Sequence, residues 1–293
     1  MINQAPNFRV GCSSIGTIMS EPRGKSVADR IAELRADLEE KIARLELAKP
    51  GLKTTLALSE RCDKIRAQIE ELEPLASAPN LSDSCKSYLK MWLSDFVTGK
   101  RVEFSSKQTH KGNVVEDDAI TYASIHVPEM GLCAKNEQTF KNKWLRGTPD
   151  VITDEWIFDL KSSYTHRTFP LFDSEIPESD YEWQVLGYMS LTGRRKGAVI
   201  YALMSMPEDV LQREARYKLG EGYTQEEYEA YRANYVYDDL PVYQRLRRFD
   251  VEYDEAKIEA MQKRVEQCQV YIDTVLWPQY LKNMEVFTDS IFA

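Results

Sequence analysis

Residues Trp156 to Ser162 place the tightest constraint on this chain. The run Trp156-Ile157-Phe158-Asp159-Leu160-Lys161-Ser162 alternates with period two. As a strand it sends Ile157, Asp159 and Lys161 to one face and Trp156, Phe158 and Leu160 to the other. The second set fills a core, which leaves a carboxylate and an ammonium together on the first face. Upstream, Gly147-Thr148-Pro149-Asp150 leads through Val151-Ile152-Thr153 to a polar turn at Asp154-Glu155, so Asp150 comes from the neighbouring strand. Two converging acids can hold a hard divalent cation such as Mg²⁺, which prefers oxygen ligands. A lysine beside that ion can position a water and offset charge on a phosphate. The stretch is in outline a hydrolytic phosphodiester site.

Pro149-Asp150 followed by Asp159-Leu160-Lys161 resembles the signature of the PD-(D/E)XK nucleases. Two further pieces lie where that family places them. Gly112-Asn113-Val114-Val115-Glu116 looks like the helix that delivers a third acid, and Gln184-Val185-Leu186-Gly187-Tyr188 looks like the Q-x-x-x-Y helix of the RecB-like branch. Gln184 and Tyr188, four apart, share one helical face. The resemblance is nearest to phage-type recombination exonucleases of the lambda exonuclease and YqaJ kind, over the start of the chain and residues 85–205. It implies an α/β fold, a mixed central sheet flanked by helices in the manner of restriction endonucleases. It also implies a metal held by Glu116, Asp150, Asp159 and the Leu160 carbonyl, with Lys161, Gln184 and Tyr188 completing the catalytic set. Implied too are 5′-to-3′ digestion of linear double-stranded DNA, an annealing protein as partner, a ring-like homo-oligomer, and a phage or prophage origin with action in the bacterial cytoplasm. Mg²⁺ is the expected cofactor, and Mn²⁺ suits the same oxygen donors. An endonuclease of this fold, and a catalytically silent module that binds DNA ends, are the alternative readings.

In lambda-type exonucleases an Arg and a Ser near the start hold the 5′ phosphate of the DNA end, and Arg9 with Ser13 or Ser14 resembles that arrangement. The same residues also read as a strand or turn leading into a helix capped by Ser14. Relatives with an iron–sulfur cluster place cysteines near the C-terminus; only Cys268 lies in the last third here, so no such cluster is expected.

The chain has 293 residues, 43% hydrophobic and 29% charged, enough for one large domain or a domain with additions. We expect a single nuclease domain over 1–293, with a helical hairpin inserted at 25–75, a catalytic core at 82–205 and a helical region at 206–293. No apolar run approaches the roughly 18 residues of a membrane span. The first residues carry neither a basic region nor an apolar core, so a signal peptide is not expected. Five cysteines with no close spacing argue against a disulfide framework and for a reducing compartment.

The net charge of −9 is awkward for a DNA enzyme, since duplex binding sets Lys and Arg against phosphates. The cations are unevenly spread, however. Lys86, Lys90, Lys100, Arg101, Lys107, Lys111, Lys135, Lys141, Lys143 and Arg146 crowd the approach to the site, and Arg194-Arg195-Lys196 follow the Gln/Tyr helix. A basic groove on an acidic body is the reading consistent with both.

Elsewhere, Val27, Ile31, Leu34, Leu38, Ile42 and Leu45 recur at helical steps, Pro50-Gly51 interrupts them, and Leu58, Cys62, Ile65, Ile69 and Leu72 resume. These predict an antiparallel, coiled-coil-like hairpin. Residues 82–97 and 112–124 read as helices. Of the acids Glu116, Asp117 and Asp118, Glu116 falls on the face shared with Ala119 and Ile120, where a buried acid needs a partner. His110, His126 and His166 are isolated and build no metal cluster. There is no G-x-S-x-G elbow for a serine hydrolase. Residues 164–180 read as a loop rimming the site, 181–191 as the Gln/Tyr helix and 197–204 as a buried strand. The C-terminal third reads as mostly helical. Thr224 to Glu227 forms a capping box, Tyr228, Tyr231 and Tyr235 are packing residues, and an apolar stripe from Ile258 ends before Pro278.

Overall fold

The strand demanded by the alternation at 156–162 forms as the second member of a four-stranded sheet. The computed structural model of the chain describes residues 4–49, 51–102 and 106–292, with side chains through 285. Pro50, read above as part of the break between the two helical stripes, lies outside the described residues.

In chain order the elements are β1 (Val10–Gly11), a 3₁₀ turn (Cys12–Ser14), α1 (Ile15–Met19), α2 (Val27–Glu46), α3 (Lys53–Leu72), α4 (Asp83–Thr98), α5 (Lys107–His126), β2 (Phe140–Lys141), β3 (Leu145–Gly147), β4 (Val151–Ile152), β5 (Trp156–Ser162), α6 (Ser179–Thr192), β6 (Lys196–Ala202), α7 (Glu208–Leu219), α8 (Gln225–Arg232), β7 (Leu246–Glu252), α9 (Glu255–Tyr271) and α10 (Trp277–Phe292). The main sheet has the order β4-β5-β6-β7; β5 and β6 are parallel and the outer pairs antiparallel. A small sheet, β1-β3-β2, pairs Val10 in parallel with Leu145, far apart in the sequence. The fold is thus α/β with mixed sheets and flanking helices, as expected.

Contacts divide the chain into two compact units. One comprises Met1–Phe8, Ile18–Thr98 and Arg264–Ala293; the other comprises Arg9–Thr17 and Gly99–Lys263. In the first unit, α2 begins with a reciprocal capping box between Ser26 and Asp29. Its stripe of Val27, Ile31, Leu34 and Leu38 packs with Ile65, Ile69 and Leu72 of α3. The fold closes a gap of 183 residues to bring two free thiols together, Cys85 of α4 and Cys268 of α9, with Sγ atoms 3.6 Å apart.

The second unit holds both sheets. Trp156, Phe158 and Leu160 pack with Ala119, Ile120 and Ala123 of α5 and with Ala198 and Ile200 of β6. On the other face Ile157 and Asp159 are also fully buried, so β5 is sealed on both sides. Tyr228, Tyr231 and Tyr235 pack around Val210, Leu211 and Ala215 of α7, as packing residues should.

Two sequence readings change. The C-terminal third contains a full seven-residue strand, β7, where Leu246-Arg247-Arg248 had read as part of a helical region. Its buried residues are Phe249 and Val251, and Arg248 is neutralised by Glu129 and Asp250, so the cations do not prevent pairing. The last helix does not stop before Pro278. A π-helical stretch, Ile272–Leu276, carries the chain into α10, with the Trp277 N–H reaching back to the Ile272 carbonyl. The wider turn shifts the hydrogen-bond frame by one residue just before the proline, whose ring and missing N–H disrupt an ordinary α register.

Candidate active site

The groove that contains Asp159 has a volume of about 520 Å³. Its walls include Glu116 of α5, Asp150, the β5 residues Asp159, Leu160 and Lys161, Tyr181 and Gln184 of α6, and Tyr201 of β6. Sequence alternation put Asp159 and Lys161 on one face, and strand register explains Asp150. Val151 pairs with Phe158 and Ile152 with Ile157, so Asp150 stands opposite Asp159 at the end of the ladder. Asp150 leaves no gap there, because its Oδ2 accepts the Leu160 N–H at 2.6 Å.

The two carboxylates are electrostatically uncomfortable. Burial and the charge of Asp159 push Asp150 up to about 7, despite the Leu160 N–H and Lys161. Burial also raises Asp159, and Lys161 opposes the shift. Lys161 Nζ stands 2.8 Å from Asp159 Oδ2. That approach is a close ion pair without hydrogen-bond alignment, so this buried oxygen keeps an undirected lone pair.

Gln184 organises the cluster. Its Nε2 donates to Asp159 Oδ1 at 3.0 Å and to the Tyr188 hydroxyl at 2.9 Å, while its Oε1 accepts from Lys161 Nζ at 3.0 Å. The partners fix the amide orientation, since an ammonium can only donate and a carboxylate only accept. Tyr188 therefore holds Gln184 and does not reach Lys161. Its ring lies against Gly147, where an added Cβ would come within 2.6 Å of Tyr188 Cε1. Gly187 is likewise required, because a Cβ there would stand 2.5 Å from Ile15 Cδ1. The Q-x-x-x-Y helix can press against β3 and the 12–15 segment only because both contacts are glycines.

One residue absent from the sequence reading enters here. Tyr181 lies with its ring centroid 4.3 Å from Lys161 Nζ, so the ammonium sits over an aromatic face as well as against two oxygens. The only signal for it was its place one helical turn before Gln184.

Glu116 reaches the groove, whereas Asp117 and Asp118 are exposed on the same helix. Its carboxylate is paired with Lys135. Among the described residues no three His, Cys, Asp or Glu side chains stand close enough to enclose one ion. Asp150 and Asp159 nevertheless fit a divalent cation. They are buried acids held against each other, with one oxygen undirected, and positive charge between them would relieve the repulsion. Glu116 could join through a water, or after releasing Lys135. Arg9, Ser13 and Ser14 do not line this groove. Arg9 Nε is buried without a hydrogen-bond partner, and no side-chain cap forms at the turn that contains Ser14.

The picture of crowding cations also changes. Lys111 is fully buried, its ammonium donating to the carbonyls of Ser163 and Tyr164 at 2.9 Å and of Met204 at 2.7 Å. It pins α5 to the ends of β5 and β6 and faces no solvent. Lys107 pairs with Glu214, Lys135 with Glu116 and Lys196 with Glu155. His110 contacts Asp209 and Arg213. Lys141, Lys143 and Arg146 are exposed, near the small sheet.

No family model matches the sequence, and no curated protein matches it. Solved structures do. A phage-related exonuclease from Haemophilus somnus aligns over 94% of this chain and 97% of its own, with a TM-score of 0.63 at 20% identity. The chain shares the fold of this exonuclease. An alkaline exonuclease from Laribacter hongkongensis aligns over 96% of this chain and 94% of its own, with a TM-score of 0.53 at 12% identity. The likeness spans nearly the full length of each chain, including segments outside the sequence motifs. Among the described residues no helix is long and apolar enough to cross a membrane.

Proposed function

We propose that this chain is a metal-dependent exonuclease that hydrolyses phosphodiester bonds of linear double-stranded DNA from the 5′ end, in phage-type homologous recombination. One observation carries the reading: a buried pair of acids, Asp150 and Asp159, beside a lysine whose head group three neighbours hold in place, on the fold of phage-related and alkaline exonucleases. Mg²⁺ is the proposed ion, with Mn²⁺ as a substitute, bound by Asp150, Asp159 and the Leu160 carbonyl and completed by Glu116 directly or through water. When bound, it supplies Lewis-acid stabilisation of the phosphate and makes water a stronger nucleophile at neutral pH.

The chain's own groups do the rest. Lys161 donates to the attacking water and to the phosphate oxygen on which charge develops, and stabilisation there lowers the barrier because the donor is already oriented. Gln184 fixes the orientation of that ion pair, by giving Asp159 a neutral donor and Lys161 a neutral acceptor. Tyr188 anchors Gln184. We assign Arg9, Ser13 and Ser14 to the 5′ phosphate, with the unpartnered Arg9 Nε as the supporting feature. An annealing protein as partner, a homo-oligomer and a phage-encoded origin belong to the same proposal.

Digestion of one plasmid, linear with 5′ phosphates or covalently closed, tests the reading. Loss of only the linear form, with Mg²⁺ and not with chelator, is expected. Cutting of the closed circle would make this an endonuclease, and binding to ends without cutting would make it a silent module.

A further inference from the structure

The loop between β5 and α6 presents a ring that the hydrolytic cluster does not use. Phe172 is 95% exposed, although Phe169 and Pro170 just before it are buried. Arg247 of β7 grips the backbone on both sides of it. Nη1 donates to the Leu171 carbonyl at 2.7 Å and Nη2 to the Asp173 carbonyl at 2.5 Å. A planar guanidinium bound to two carbonyls fixes their relative position with little loss of freedom. Single apolar residues on a surface are commonplace. This one is distinguished by being held outward, and by where it is held.

Strand register supplies the place. Lys161 pairs with Tyr201, and Tyr201 with Arg247, across β5, β6 and β7. Register partners project to the same face of a sheet, and neighbouring strands lie about 4.8 Å apart. The backbone of Arg247 is therefore about 10 Å from that of Lys161, two strands along the same row. Lys161 and Tyr201 line the groove, as do Thr168 and Glu178 on the two arms of the loop that carries Phe172. The loop that carries the ring therefore borders the groove on both of its arms. Aromatic side chains beside a nucleic-acid groove bind by stacking on bases, independently of sequence.

We propose that Phe172 is a stacking platform for a nucleobase of the DNA strand in the groove. The proposal rests on the nuclease reading above. Its ligand is a base, whatever its identity, and Arg247 is the positioning residue that aims the ring.

The test combines Phe172→Ala and Phe172→Trp with a 5′-phosphorylated linear duplex, either intact or carrying single abasic positions in the first few nucleotides. Binding is followed by fluorescence anisotropy in chelator, and digestion with Mg²⁺ is measured in parallel. Phe172→Ala is expected to weaken binding about 5- to 100-fold, and Phe172→Trp to restore it. One abasic position should cost the wild type a similar factor and cost Phe172→Ala nothing. Wild-type binding by Phe172→Ala, or equal abasic penalties in both proteins, would overturn the stacking role. If the wild type still digests the linear duplex in that case, the nuclease reading survives, and a protein partner becomes the alternative occupant of the ring. A wild type that neither binds nor cuts overturns both.

Discussion

Gln184 Nε2 donates to Asp159 Oδ1 at 3.0 Å, between a carboxylate with no solvent exposure and a lysine that needs an acceptor. Replacement by Glu removes the donor and sets a second acid against the first. A buried group left unsatisfied costs about 1–3 kcal/mol. Gln184→Glu is expected to lower stability by about that amount and to slow digestion about a hundredfold, because Lys161 loses its orientation relative to Asp159. Urea unfolding and the rate of nucleotide release check it. A variant within about 0.5 kcal/mol of wild type would show that Gln184 does not organise the cluster.

Tyr181 gives a finer test of how Lys161 is held. A ring under an ammonium contributes about 0.5–2 kcal/mol. Tyr181→Phe keeps the ring face and should digest DNA at close to the wild-type rate. Tyr181→Leu should lose about 2- to 30-fold in kcat with little change in KM. Equal losses in both variants would assign the role to the hydroxyl instead.

Lys111 makes a prediction about stability and pH. Burial lowers its ammonium from the ordinary 10.5 to about 8. Three carbonyls match its three N–H donors, so it is charged at neutral pH. Lys111→Met should cost several kcal/mol, since it strips those carbonyls of a shared donor. Between about 8 and 10.5 the unfolded chain holds a proton that the folded chain has released, so stability from this group rises with pH and is lost as pH falls through 8. The gap between wild type and Lys111→Met should therefore widen by roughly 3 kcal/mol from pH 8 to 10.5. Urea titrations at several pH values measure it, and a gap that narrows would contradict the account.

The acid pair predicts ligand-linked stability. Mg²⁺ binding only to the folded state raises the midpoint of thermal unfolding in proportion to the logarithm of its concentration. Asp159→Asn leaves Asp150 as the single acid and so removes the repulsion between them, and that variant should be more stable than wild type in chelator and should gain little from Mg²⁺. Differential scanning fluorimetry reads both effects. A metal-induced shift unchanged in the variant would place the ion elsewhere.

The parts of the site that were legible in sequence are those whose geometry is local. Alternation at 156–162 fixes the side of the strand for Asp159 and Lys161, and a four-residue spacing fixes Gln184 with Tyr188. The hairpin of α2 and α3 was legible for the same reason, since its stripes recur within one helix. What escaped depends on distant partners. Lys111 reads as a surface cation until Ser163, Tyr164 and Met204, 52 to 93 residues away, close over it. β7 was hidden because its arginines are neutralised by Glu129 and Asp250 or spent on the Phe172 loop. Cys85 and Cys268 meet only through the fold, and Tyr181 had no motif to mark it.

The most direct test of the central claim is Lys161→Ala, assayed on 5′-phosphorylated linear duplex with Mg²⁺ for both DNA binding and nucleotide release. The account predicts that binding to DNA and metal is largely retained while release falls about a hundred- to a thousandfold, the scale of losing one preorganised charge-stabilising donor. Release at the wild-type rate, with or without weakened binding, would contradict it and move the chemistry away from this cluster.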